Sequence, residues 1–199
     1  MILTGAGRAA VLATTMMFAG SGAMAATTFD LTGAPPSQGT SFIFNQDSIQ
    51  MTATGFTDTV LFGLTQTNVT QDETGLGVTR FFDTDADLDG QVDEFLVFTF
   101  DQTVSLFTIL FDDVDPDDDW DLFVDTGSGF AQVANESTDN PFTFTVGTNG
   151  NRVAIGADGG NDSFRVREIT VAAIPLPAAG WLMLAGLGGI AALRRRKKA

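Results

Sequence analysis

EFLVFTFDQTVSLFTILF, residues 94–111, consists of two apolar runs joined by a polar triplet. In the first run Leu96, Phe98 and Phe100 share one face of an extended chain, while Phe95 and Val97 share the other. Alternation at period two marks a strand, and apolar residues on both faces place it in the middle of a sheet. The second run, Val104–Phe111, follows Asp101-Gln102-Thr103, which reads as a tight link to a second strand.

The same period recurs on both sides of this stretch. Strands are expected at Ser41–Phe44, Ile49–Thr54, Val60–Leu64, Leu122–Val124, Phe142–Val146, Arg152–Ile155 and Phe164–Val171. In the last of these Phe164 and Val166 have one parity and Ile169 and Val171 the other, so a bulge is expected near Glu168. No segment between residues 26 and 171 holds a 3.6-residue period long enough for a helix. Many short strands with Gly, Asn and Pro-Ser links imply an all-β domain, a β-sandwich of jelly-roll type over residues 26–171. An open β-solenoid is the rival, and no fixed repeat supports it.

Composition narrows the chemistry. The chain has 199 residues with no Cys and no His. Disulfides, thiol catalysis and zinc ribbons are excluded, and the usual general base is missing. A net charge of −15 argues against a nucleic-acid partner, which needs a basic footprint. The charge is also unevenly spread. All 25 acidic residues lie between Asp30 and Glu168, where only Arg80, Arg152, Arg165 and Arg167 oppose them, a net of −21. The other six basic residues are Arg8 and the run Arg194 to Lys198.

The two ends read as addresses. Residues 1–25 have the layout of a secretory signal peptide: Arg8, an apolar run from Ala9 to Ala19, and Ala23-Met24-Ala25 as the cleavage site. Its partners would be the Sec translocon and signal peptidase; the alternative is a buried N-terminal helix. At the other end, residues 172–177 are expected to form a linker with a Pro-Leu-Pro motif. Residues 178–193 would form a transmembrane helix, and residues 194–199 a basic cytoplasmic tail. Sixteen residues of helix span about 24 Å, short of a core of about 30 Å, so Ile174 to Pro177 would be drawn in.

IPLPAAGWLMLAGLGGIAALRRRKKA, residues 174–199, resembles the PEP-CTERM class of C-terminal sorting signals, in particular the VPLPA-CTERM variant. The likeness lies in the order of Pro175, Leu176 and Pro177, an apolar helix containing Trp181, and the cluster Arg194, Arg195 and Arg196. Ile174 replaces the usual Val. The resemblance implies recognition by an exosortase of a Gram-negative bacterium and cleavage near the Pro motif. It further implies delivery from an inner-membrane-anchored precursor to the cell surface or biofilm matrix, among exopolysaccharide. The LPxTG signal fits worse, since no Thr-Gly follows Leu176-Pro177. The plain alternative is a permanent single-pass anchor.

Two acidic stretches are the candidate sites. Asp85, Asp87, Asp89 and Gly90 fill the first positions of the calcium-loop pattern D-x-[DN]-x-[DN]-G, with Asp83, Asp93 and Glu94 as further oxygen donors. Leu96 stands where that pattern wants a bidentate Glu, so the reading is divided between a calcium loop and a solvated turn. The second stretch offers Asp112, Asp113, Asp115, Asp117 and Asp119, at a spacing that matches no defined metal motif. Gly159-Gly160-Asn161-Asp162 reads as a hairpin turn. Trp120, between Asp119 and Asp121, suits a sugar platform or a cap on the core. Paired carboxylates could in principle cleave glycosides, but they sit among many others, and no residue is assigned to catalysis. The sequence therefore implies an exported, non-enzymatic surface or matrix protein, with Ca²⁺ as its one candidate cofactor. The alternatives are a carbohydrate-binding module for exopolysaccharide and, third, a secreted hydrolase.

Overall fold

The computed structural model describes residues 25–59, 63–80, 86–157 and 159–174. Most of the expected leader with Ala23, residues Asp83 and Asp85, the apolar segment 178–193, Pro175, Leu176, Pro177 and Arg194 to Arg196 lie outside them. Ala25 is described and exposed, immediately before the first strand.

All regular elements among the described residues are strands. In chain order they are β1 (Ala26–Asp30), β2 (Ser37–Gly39), β3 (Phe42–Gln46), β4 (Ile49–Thr59), β5 (Gly63–Gln71), β6 (Leu76–Thr79) and β7 (Leu88–Asp89). There follow β8 (Glu94–Asp112), β9 (Trp120–Asp125), β10 (Phe130–Ser137), β11 (Phe142–Thr143), β12 (Asn149–Ala157) and β13 (Ser163–Ala173). The pairings are antiparallel. Strand β8 organises them. Its first half lies between β4 and β12, the central position its two apolar faces imply, and its second half pairs with β13. From β13 the ladder runs through β6, β5 and β4 back to β8, so the sheet closes as a barrel does.

The expected link at Asp101–Thr103 is a bend within one strand. Opposite Asn151 of β12, β8 loops out the four residues Phe100 to Thr103 between the pairs Thr99–Arg152 and Val104–Gly150. Both ends of β8 then reach the same end of the domain. Glu94 accepts the Asp89 N–H at 3.1 Å, Asp89 pairs with Ser163, and two residues on Arg165 pairs with Asp112. An extended run of 19 residues would span about 60 Å. The strand therefore doubles back, and the ladder persists through the turn because β12 and β13 continue to pair alongside it. The polar triplet marks the turn correctly; the chain simply never leaves the sheet.

The core lies inside this closure. Leu96, Phe98, Leu106, Ile109, Trp120 and Leu122 are fully buried there, with Ile155 and Phe164 opposite. Each such side chain contributes about 1.5–3 kcal/mol relative to leaving it in water. The bulge near Glu168 is present, between Val166 and Glu168. β13 runs on through Ala172 and Ala173, which pair with Ser105 and Val104, so the domain takes two residues from the expected linker. Phe142–Val146 shortens to β11, because Val146 is fully exposed and Gly147 turns the chain at a φ of 90°.

Candidate functional site

The ends of the domain differ in character. At one end Ala26 is paired with Ala172, so the first and last strands leave side by side. The other end lies at the start of β13, about 33 Å away along ten residues. It carries the acidic loops 87–93 and 113–119 and the turn 159–162.

These loops are held by carboxylates accepting from the chain itself. Asp118 is buried; its Oδ2 accepts the Asp115 N–H at 2.6 Å and its Oδ1 the Ser163 N–H at 3.1 Å. Asp162 is also buried and accepts the N–H groups of Gly159 at 2.8 Å and Asp119 at 3.3 Å. Asp87 is paired with Arg165, whose Nε lies at 2.6 Å, and also accepts the Ser163 hydroxyl at 3.2 Å. Asp89 accepts the Gln91 N–H at 2.9 Å. Arg165 reaches Asp72 as well, at 3.2 Å, and is itself buried. Burial works against the Asp72 charge, but the Thr74 hydroxyl and amide, the Arg165 guanidinium and the Gly75 amide outweigh it and hold its carboxyl below the ordinary value.

The calcium reading also rests on Asp83 and Asp85, which lie outside the described residues. Among the described residues no three acidic side chains are placed to hold one ion. Asp87 faces a guanidinium, and Asp89 and Glu94 face backbone amides. Asp93 is exposed and meets the Asp58 N–H through its carbonyl. In the second stretch Asp112 is paired with Arg167, and Asp113 sits at a φ of 58°. Asp115 and Asp117 are exposed, and Asp119 donates its N–H to Asp162. The organisers are Asp118, Asp162 and Arg165, none of which carries a sequence signal of its own. Gly90 shows how tightly the loops meet. A Cβ there would overlap the Gly159 carbonyl. Gly90→Ala is therefore expected to cost about 1–3 kcal/mol, read as a lower midpoint in a thermal melt; an unchanged midpoint would mean that the two loops are not packed together.

Trp120 is not a sugar platform. It is 1% exposed, stacked on Phe111 at 4.0 Å between centroids and edge-on to Phe164 at 5.5 Å. Alternation along β9 turns Trp120, Leu122 and Val124 inward and leaves Asp121 and Phe123 half-buried on the outer side. The core-cap reading holds, and Trp120 and Asp121 are separated by the sheet. Asp121 accepts the Glu136 N–H at 3.0 Å, at an irregularity in the β9–β10 pairing.

The outer face of the same sheet carries an aromatic groove of about 330 Å³. Phe56 of β4 pairs directly with Phe95 of β8. Phe95 lies against Gly156 of β12, where a Cβ would come within 2.6 Å of the ring. The Phe95 and Phe123 rings are 6.4 Å apart and tilted by 60°. At the far end the Arg152 guanidinium sits 4.5 Å from the Phe130 ring centre and 3.5 Å from Asp125. Leu64 and Asp58 close the near end. One signal for this site was present in the sequence: Phe95 and Val97, the second apolar face of the central strand.

Comparison with protein-family models, with curated proteins and with solved structures gives no match for this chain.

Proposed function

We propose that this chain is an exported, non-enzymatic β domain, a jelly-roll-type sandwich, displayed at the cell surface or in the extracellular matrix of a Gram-negative bacterium. The pairing of Ala26 with Ala172 is the observation that supports this best. The residues leading back to the leader and those leading on to the Pro-Leu-Pro motif leave one end of the domain together. A domain attached in this way can hang from a membrane by either end while its acidic end faces outward. In this reading the Sec translocon and signal peptidase deliver the precursor, the apolar segment 178–193 anchors it, and an exosortase processes it near Pro175-Leu176-Pro177. A hydrolase is disfavoured because Asp87 and Asp72 are committed to Arg165 and the buried Asp118 and Asp162 to backbone amides.

The test is fractionation of the full chain in an exosortase-bearing host. Wild type should leave the inner membrane for the surface or matrix fraction. Replacing Arg194, Arg195 and Arg196 by alanine, or Pro175 and Pro177 by alanine, should hold it in the membrane. Equal distributions of wild type and variants would refute the sorting reading.

A further inference from the structure

We infer that the aromatic groove on the outer face of the sheet is a binding site for a neutral, β-linked glycan chain. The inference goes beyond the display reading and does not depend on it.

The shape comes first. The rings of Phe56, Phe95, Phe123 and Phe130 sit on β4, β8, β9 and β10, with β12 between β8 and β9. Four strand spacings make a strip of about 19 Å running across the strands. Gly156 leaves the Phe95 ring room over β12, so the strip is continuous and set in place before anything binds. β-Linked hexoses present flat C–H faces in succession, and such faces stack on rings held by a rigid sheet. A preformed platform of this kind spends little conformational entropy on binding.

Charge then selects the occupant. The region from Asp30 to Glu168 has a net charge of −21, yet the groove lining holds one carboxylate, Asp58, and one guanidinium, Arg152. The groove is thus nearly neutral within an acidic domain. Polyanions would be repelled by the domain as a whole, and so would a second copy of this chain. A neutral polyol meets no such cost. It finds an acceptor in Asp58 at one end and, at the other, the N–H groups of Arg152 that are not turned to Asp125. A fatty chain fits less well, because the groove is open: Leu64 is 65% exposed and Phe130 40% exposed. Much of such a chain would stay in water.

The experiment is calorimetric titration of the full chain in phospholipid nanodiscs with cellohexaose, with oligogalacturonate as the anionic comparison. Cellohexaose should bind, and oligogalacturonate should bind more weakly. Phe130→Ala and Arg152→Gln should each weaken cellohexaose binding by about tenfold. Trp120→Phe, a core change, should leave it unaltered. If Phe130→Ala does not fold, Leu64→Gln at a more exposed position serves in its place. Three results would overturn the inference: no binding of cellohexaose, binding indifferent to the groove substitutions, or stronger binding of oligogalacturonate. Palmitate that binds in the groove while cellohexaose does not would make it a lipid site, and dimerisation abolished by Phe130→Ala would make it a self-association face. Fractionation in cells and titration of purified protein fail independently, so the two readings are separable.

Discussion

Trp120→Ala is expected to remove about 3–5 kcal/mol of stability, the usual cost of deleting a buried aromatic side chain. For a domain of this size that lowers the melting midpoint by roughly 6–20 °C. The magnitude follows from the packing. Trp120 is stacked on Phe111 and edge-on to Phe164, and those two rings are edge-on to each other at 5.5 Å. The trio joins β8, β9 and β13, so a cavity there loosens three strands at once. Among the described residues the indole N–H has no hydrogen-bond partner. Trp120→Phe therefore gives up volume but no hydrogen bond, and should cost well under half as much. Thermal melts of the two variants decide the matter. If Trp120→Ala were nearly neutral, the ring would not be in the core, and the sugar-platform reading of Trp120 would regain its footing.

Trp120 also shows where the sequence is ambiguous. An aromatic ring between two aspartates suits a sugar platform and a core cap equally, because alternation is a relative signal. It says that Trp120 and Asp121 face opposite ways, but not which of them faces inward. That is settled by Phe111 and Phe164, which come from strands far along the chain. The central strand was legible for the opposite reason, since apolar residues on both faces are compatible only with flanking strands. The same pattern held the key to the groove. Phe95 and Val97 look like one more buried face; among the described residues they line an open groove instead, Phe95 half-buried and Val97 buried.

Three of the missed strands, β2, β7 and β10, share a cause. β10 is exposed along most of its length and shifts register twice against β9, so it carries no alternation to read. β7 has two residues, and β2 pairs three with β5. Such elements exist because a neighbouring edge offers partners, and no local period encodes them. The acidic loops were legible in a different way. Charge density drew attention to the exposed aspartates. The residues that organise the loops are the buried Asp118, Asp162 and Arg165, chosen by burial, which composition does not report.

Arg165→Met is the other substitution with a large expected effect. The guanidinium is buried, with Asp87 at 2.6 Å and Asp72 at 3.2 Å. Removing one partner of a buried ion pair costs about 3–5 kcal/mol. Here both carboxylates retain some exposure, so a value of about 3 kcal/mol is expected. The pH dependence makes the test specific. Asp72 is held below its ordinary value, and so is Asp30, through the Thr32 amide and hydroxyl and the charge of Arg167. A carboxyl lowered in the folded state adds stability above its unfolded value of about 3.9, and that stability is lost as pH falls through and below it. Wild type should therefore lose midpoint as pH falls below about 4. In Arg165→Met the cation that helps to lower Asp72 is gone, while Asp30 keeps its partners. The variant should start lower at neutral pH and fall less on acidification, so the two curves converge. Parallel curves would mean that Arg165 acts through packing alone and that its charge contributes nothing to the acidic end of the domain.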